Sequence, residues 1–255
     1  MRIVMVASEA MPWAKTGGLA DMVGALGRAL AKAGHEVRLV TPLYRGILKK
    51  FPKIRRVDWS FNLPLGDEMV EGGLWELEES PRLKVLFVDQ KNYYDRSGIY
   101  QEQNISYPDN AERYIFFSKC VVHLARYLHW RTDVVHVHDW QVGLVPAMIQ
   151  QQEIEGWGGA PATILTIHNL AYQGVFPESA FPLTNLPDRY FGPESAEYYG
   201  MLNCLKAGIA LADKITTVSA RYAREITTPE FGCGLDGLLL RRHSDLTGML
   251  NGVDY

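Results

Sequence analysis

Lys15-Thr16-Gly17-Gly18-Leu19 is the first stretch of the 255-residue chain whose residue types suit chemistry. Two adjacent glycines let backbone N–H groups approach a ligand, Lys15 adds a full positive charge, and a helical pattern beginning at Leu19 turns its positive dipole end toward them. That combination is a cradle for a phosphate or pyrophosphate. A glycine turn beside a solvated lysine is the plainer alternative. The segment fits neither the GxGxxG nor the GxxxxGK[ST] spacing, which disfavours a dinucleotide fold or a P-loop hydrolase here. Asp21 lies one turn inside the helix, where a carboxylate either complements the dipole or meets a sugar hydroxyl.

A second group is His136-Val137-His138-Asp139-Trp140. Histidines two apart on a strand share a face and begin an HxHxD-type metal site. The aspartate follows directly instead of at the required offset, and no further His or Cys cluster completes the ligand set. A structural His136, a polar substrate contact from Asp139 and no metal is the preferred reading. Trp140 is either a stacking wall or a cap on the core. His168-Asn169 and Glu9 complete the polar groups that follow apolar runs.

Those groups need a scaffold that brings them together. Ile3 to Ala7 is a short apolar run, then comes a loop with Pro12 and Gly17-Gly18, then Leu19, Met22, Val23, Leu26, Leu30 and Ala33 at helical spacing, with Gly34 as the stop. Val37 to Thr41 is the next strand, closed by Pro42. This is a βαβ unit, the mark of a parallel sheet with right-handed crossovers. Further strands are expected at Leu83 to Val88, Val134 to His138, Thr163 to His168 and Ile215 to Val218. The clearest further helices run from Ala111 to Leu128, with Asp109-Asn110 as capping residues, and from Leu202 to Ala212. Between Val57 and Leu77 the pattern is a β-hairpin, Phe61-Leu63 against Gly73-Leu77, with Pro64, Gly66 and Asp67 at the turn. The expected fold is one doubly wound α/β domain over residues 1–255: a mostly parallel sheet, helices on both faces and a small hairpin excursion. In such a sheet ligands bind beyond the carboxyl ends of the strands, where Glu9, Lys15, Asp139 and His168 all fall.

Composition removes several classes. Hydrophobic residues make up 47%, enough for a full core, and Lys+Arg of 26 against Asp+Glu of 29 leaves a net charge of −3 with no basic face for nucleic acid. Three well-separated cysteines, Cys120, Cys204 and Cys233, suit neither a disulfide framework nor structural zinc. The amino terminus is too short an apolar run for a signal or a membrane span, so the expected setting is cytoplasmic, with no membrane partner. The loop from Gln90 to Tyr107 is polar and tyrosine-rich, which suits carbohydrate, although the tyrosines would equally pack the loop down. Gly232, Gly234 and Gly237 form a second glycine-rich segment, either a mobile lip or a turn.

Taken together, KTGGLADMVGALGRAL, VVHVHDWQVGLVPA, TIHNLAYQG, LKAGIALADKITTVS, SARYAREITTPEFGCGLDGLL and the closing LNGVDY resemble bacterial glycogen synthases and plant starch synthases. The likeness runs from Met1 to Tyr255 in the family's order. It implies the amino-terminal, acceptor-side half of a two-domain GT-B glycosyltransferase that moves glucose from ADP-glucose to the non-reducing end of an α-1,4-glucan with retention. No cofactor is implied, since ADP-glucose is a substrate. The resemblance puts Lys15, Gly17 and Gly18 on the donor's distal phosphate. It puts Asp139, Trp140, His168 and Asn169 on the transferring glucose, with Lys15, Asp139 and His168 catalytic. Glu9, Asp21 and Tyr100 fall where sugar or acceptor contacts are expected. The family's carboxy-terminal half, which shares the nucleotide-sugar, is not in this sequence, so an isolated domain without sustained turnover is expected. A non-catalytic glucan-binding module is the competing reading, and a metal-dependent hydrolase built on HVHD ranks last.

Overall fold

The computed structural model describes residues 1–128 and 130–252. A nine-stranded sheet forms its centre. The strands are β1 (Arg2–Val6), β2 (Glu36–Pro42), β3 (Arg55–Leu65), β4 (Glu68–Ser80), β5 (Leu83–Asp89), β6 (Val134–His138), β7 (Ala162–Ile167), β8 (Lys214–Thr217) and β9 (Leu246–Gly248). Their order across the sheet is β9-β8-β7-β6-β1-β2-β5-β4-β3. Neighbours from β9 to β5 are parallel, and β4 and β3 fold back antiparallel.

β1 lies between β2 and β6, with Val6 level with Val40 on one side and Val137 on the other. Covered on both faces, it reads as an unbroken apolar run, and Ile3 to Ala7 are all buried. The chain winds outward from β1 to β2 and β5, then returns to β6 on the opposite side of β1. Right-handed crossovers therefore place the helices of the two halves on opposite faces, and the winding reverses between β1 and β6. Four longer helices pack on the sheet: α1 (Gly18–Lys32), α2 (Asn110–Tyr127), α3 (Val145–Ile154) and α4 (Cys204–Leu211).

The hairpin is larger than its sequence signal. β3 and β4 extend the central sheet through β4–β5 pairing, with Trp75 beside Phe87, because the period-2 pattern continues into half-exposed positions that a run of apolar residues does not mark. The helix expected from Leu202 begins at Cys204, since Met201–Asn203 pairs with Val175–Pro177 and Asn203 caps the helix by accepting from Lys206 N–H at 2.9 Å. Asp109 and Asn110 do not cap α2 as expected. The Asp109 carboxylate takes the fork of Arg96, and Asn110 Oδ1 accepts from Arg113 at 2.6 Å, because a guanidinium outcompetes a neutral amide for these oxygens. Val253, Asp254 and Tyr255 of the closing segment lie outside the described residues. Among the described residues, no helix is long and apolar enough to cross a membrane.

Candidate active site

The carboxyl ends of β1, β6 and β7 are adjacent at the point where the winding reverses, and most of the candidate residues follow them. Glu9, buried just past β1, is the organiser of the lysine-glycine loop. One carboxylate oxygen accepts from the N–H of Thr16 and, at 3.3 Å, from that of Gly17. The other accepts from Thr16 Oγ1 and from the Tyr100 hydroxyl, each at 2.7 Å. Ser8 Oγ, also 2.7 Å from the Tyr100 hydroxyl, extends the chain. Glu9 and Tyr100 thus hold the loop from beneath.

Gly17 is the N-cap of α1, and no side chain caps the helix. The first amides of α1, from Gly18 onward, are therefore left to solvent or a ligand. A Cβ built on Gly17 or Gly18 meets nothing within 4 Å, so packing does not demand glycine at either position. Lys15 Nζ lies 2.7 Å from Asp21, an exposed ion pair worth little on its own, which parks the ammonium beside this open helix end.

Asp139 closes β6 in an unusual conformation, φ 62° and ψ −172°, a region close to glycine-only. It is held there by its own N–H, which donates to Thr166 at 3.0 Å, and by its Oδ1, which accepts from the His168 N–H at 2.7 Å. Burial pushes its carboxyl up to about 7, against a downward pull from the amides of His168 and Asn169, with Glu9 adding a smaller upward push. Asp139 thereby ties the tip of β6 to the tip of β7.

Three histidines cluster alongside, their rings tilted to one another. His136 and His138 have ring centroids 4.3 Å apart, and His138 and His168 5.4 Å apart. His136 Nε2 is 2.6 Å from Thr166 Oγ1, which in turn is 2.6 Å from Thr216 Oγ1. His138 Nδ1 is 3.2 Å from His168 Nε2. Burial lowers His136 and His168 to about 4 and pushes His138 well below its usual value too, so all three are neutral near pH 7. Among the described residues no group of three or more His, Cys, Asp or Glu is arranged to hold a metal ion, and His136 faces a hydroxyl.

The remaining candidates divide. Asn169 is exposed at the same edge, its Oδ1 accepting from Ala171 N–H at 3.0 Å. Trp140 packs edge-on to Tyr114 and against Phe176, and Gly174 lies on its face: at φ 62°, a Cβ there would come within 2.2 Å of the indole. In the tyrosine-rich loop the tyrosines are buried or half-buried, whereas Gln101 to Ser106 are exposed. Tyr94 is fully buried and donates to Arg113 C=O at 2.9 Å. Gly232, Gly234 and Gly237 have GxGxxG spacing but follow a turn after Ala220–Glu225 instead of a strand, so they are no dinucleotide fingerprint.

Comparison with known proteins decides the family. The family model described as starch synthase catalytic domain matches residues 2–241. The chain belongs to this starch synthase catalytic domain family. Over its whole length it is 44% identical to a glycogen synthase of Opitutus terrae and 42% identical to glycogen synthase 2 of Geobacter sulfurreducens. It covers 53% and 52% of those proteins, so the chain spans about half the length of the curated relatives it matches. A solved structure of the catalytic domain of starch synthase IV from Arabidopsis thaliana, bound to ADP and acarbose, superposes with a TM-score of 0.87 at 27% identity, covering 99% of this chain and 52% of that one. The mostly parallel, doubly wound architecture is that of the GT-B glycosyltransferases.

Around these strand tips, sequence reasoning missed four supports. Thr16 and Ser8 carry the Glu9 network, and the Tyr222 hydroxyl accepts from Leu170 N–H at 3.0 Å just past His168-Asn169. Fully buried Arg113 holds the loop before α2 through Tyr93 C=O, Asn110 and Ile99 C=O. The one available signal was Arg113 itself, a charged residue on an otherwise apolar helical face.

Proposed function

We propose that this chain forms the acceptor-side half of a retaining glucosyltransferase that moves glucose from ADP-glucose to the non-reducing 4-hydroxyl of an α-1,4-glucan. The observation that carries this reading is the uncapped amino end of α1, with free space over Gly17 and Gly18 and Lys15 beside it, next to the joined tips of β6 and β7. The solved relative carries ADP and acarbose, which supports an adenine nucleotide as the donor's leaving portion.

In this reading the distal phosphate sits on the amides from Gly18 onward, with Gly17, whose own N–H is given to Glu9, leaving room for it, and Lys15 leaves Asp21 to neutralise charge as the glycosidic bond breaks. His168 and Asn169 contact the transferring glucose. Asp139 fixes the backbone that presents them, and Trp140 backs that wall. Glu9, Asp21 and Tyr100 shape the sugar side. The leaving phosphate itself draws the acceptor proton during front-face attack, so the two-carboxylate glycosidase scheme does not apply. By themselves these residues supply one wall of a cleft and do not sustain turnover. Incorporation of labelled glucose from ADP-glucose into glycogen tests this. The chain alone is expected to be inactive, and its fusion to a relative's nucleotide-binding half is expected to yield α-linked product. Silence from a folded fusion, or family-like rates from the chain alone, would overturn the proposal.

A further inference from the structure

His138 is a buried imidazole with no role in the reaction outlined above. It is fully enclosed, its Nδ1 lies 3.2 Å from His168 Nε2, and its Nε2 has no partner among the described residues. Its neighbour His136 cannot supply one, because His136 Nε2 is engaged with Thr166 Oγ1.

A neutral imidazole has one N–H and one bare nitrogen. Two neutral rings meeting nitrogen to nitrogen therefore have two arrangements. If His168 carried the shared proton on Nε2, His138 would have to carry its own on Nε2, leaving an N–H sealed away from water with nothing to accept it. If His138 carries the shared proton on Nδ1, only a bare lone pair is left without a partner. A buried orphan N–H is the rarer of these two defects in folded proteins. The second arrangement wins, and it leaves His168 with its proton on Nδ1. That nitrogen has no partner among the described residues and is not among the sealed polar atoms, so it opens to the site edge.

We propose that His138 is a positioning residue that donates from Nδ1 to Nε2 of His168, locking His168 as a donor from Nδ1 toward a sugar hydroxyl oxygen. The part concerning the sugar rests on the function proposed above, whereas the tautomer does not. The tautomer is read by long-range proton–nitrogen NMR on the ¹⁵N-labelled chain without ligand, with His168→Gln used to assign the signals. The wild-type chain should show a protonated Nδ1 and a bare Nε2 on His168. Asn at position 138 places an amide donor where Nδ1 stands, so His138→Asn should keep that pattern, whereas His138→Leu should release it to a mixture. In the fusion to a nucleotide-binding half, His138→Leu should weaken donor binding about tenfold and His138→Asn should restore most of it. A wild-type His168 protonated on Nε2 would overturn the proposal, even if His138→Leu failed to fold. A correct tautomer in a folded but inactive fusion would instead count against the function.

Discussion

Replacing Glu9 separates its structural task from simple charge. Its two oxygens face different partners: the amides of Thr16 and Gly17 on one side, the hydroxyls of Thr16 and Tyr100 on the other. In Glu9→Gln the remaining oxygen can face the amides, because the hydroxyls on the other side can rotate to accept from the new NH₂. The expected cost is the loss of charge assistance, about 1–2 kcal/mol. In Glu9→Leu both hydroxyls and both amides lose their acceptor. Thr16 and Gly17 are exposed and turn to water, whereas the Tyr100 hydroxyl and the buried Ser8 behind it do not, so roughly 3–4 kcal/mol is lost. For a chain of this size that is about 6–16 °C in Tm. Urea denaturation reads the stability, and hydrogen exchange at Thr16 reads the loop, which should lose protection in the Leu variant and keep most of it in the Gln variant. Removing the Glu9 charge should also lower the Asp139 titration from about 7, seen by carboxyl ¹³C NMR. A Leu variant as stable as wild type, with Thr16 still protected, would refute this account of the loop.

Four further outcomes follow from the same structure. Between pH 7 and pH 5 the unfolded chain protonates histidines that stay neutral near 4 when folded, costing about 2 kcal/mol each for His136 and His168. Folded Asp139, held near 7 and so already half protonated there, completes its protonation first and offsets about 2 kcal/mol, so denaturation should show a net loss of about 1–2 kcal/mol, with His138 adding to it, and a steeper loss in Asp139→Asn. Arg113→Met removes two hydrogen bonds to the segment around Tyr93 and Ile99 and one to Asn110, which should cost about 3–4 kcal/mol and expose that segment to protease. Gly174→Ala should destabilise by about 2–4 kcal/mol, from a left-handed backbone and a clash with Trp140, measured by thermal melting. In the fusion enzyme, Lys15→Ala should lower kcat roughly a hundredfold while leaving the KM for glucan nearly unchanged.

The parallel core was legible because β1 and β6 are covered on both faces, which forces apolar runs such as Ile3–Ala7 and, interrupted by His136, Val134–Val137. The strand tips followed, since polar residues placed directly after such runs have few other reasons to be there. Less was readable where side chains choose among partners. Asp109 looks like a cap until Arg96, thirteen residues upstream, is folded against it. The orphaned Nε2 of His138 depends on what surrounds it in three dimensions, and no spacing rule reports that. The length of β3 and β4 was hidden by their half-exposed, alternating character at the sheet edge.

Whether a sugar diphosphate sits at the edge formed by β1, β6 and β7 is read most directly by titrating the ¹⁵N-labelled chain with ADP-glucose and following backbone amides. Gly17, Gly18, His168 and Asn169 should shift together along one saturating curve, and Lys15→Ala should weaken that curve. Shifts confined to another face of the molecule, or none at ligand concentrations that saturate the fusion enzyme, would contradict the account.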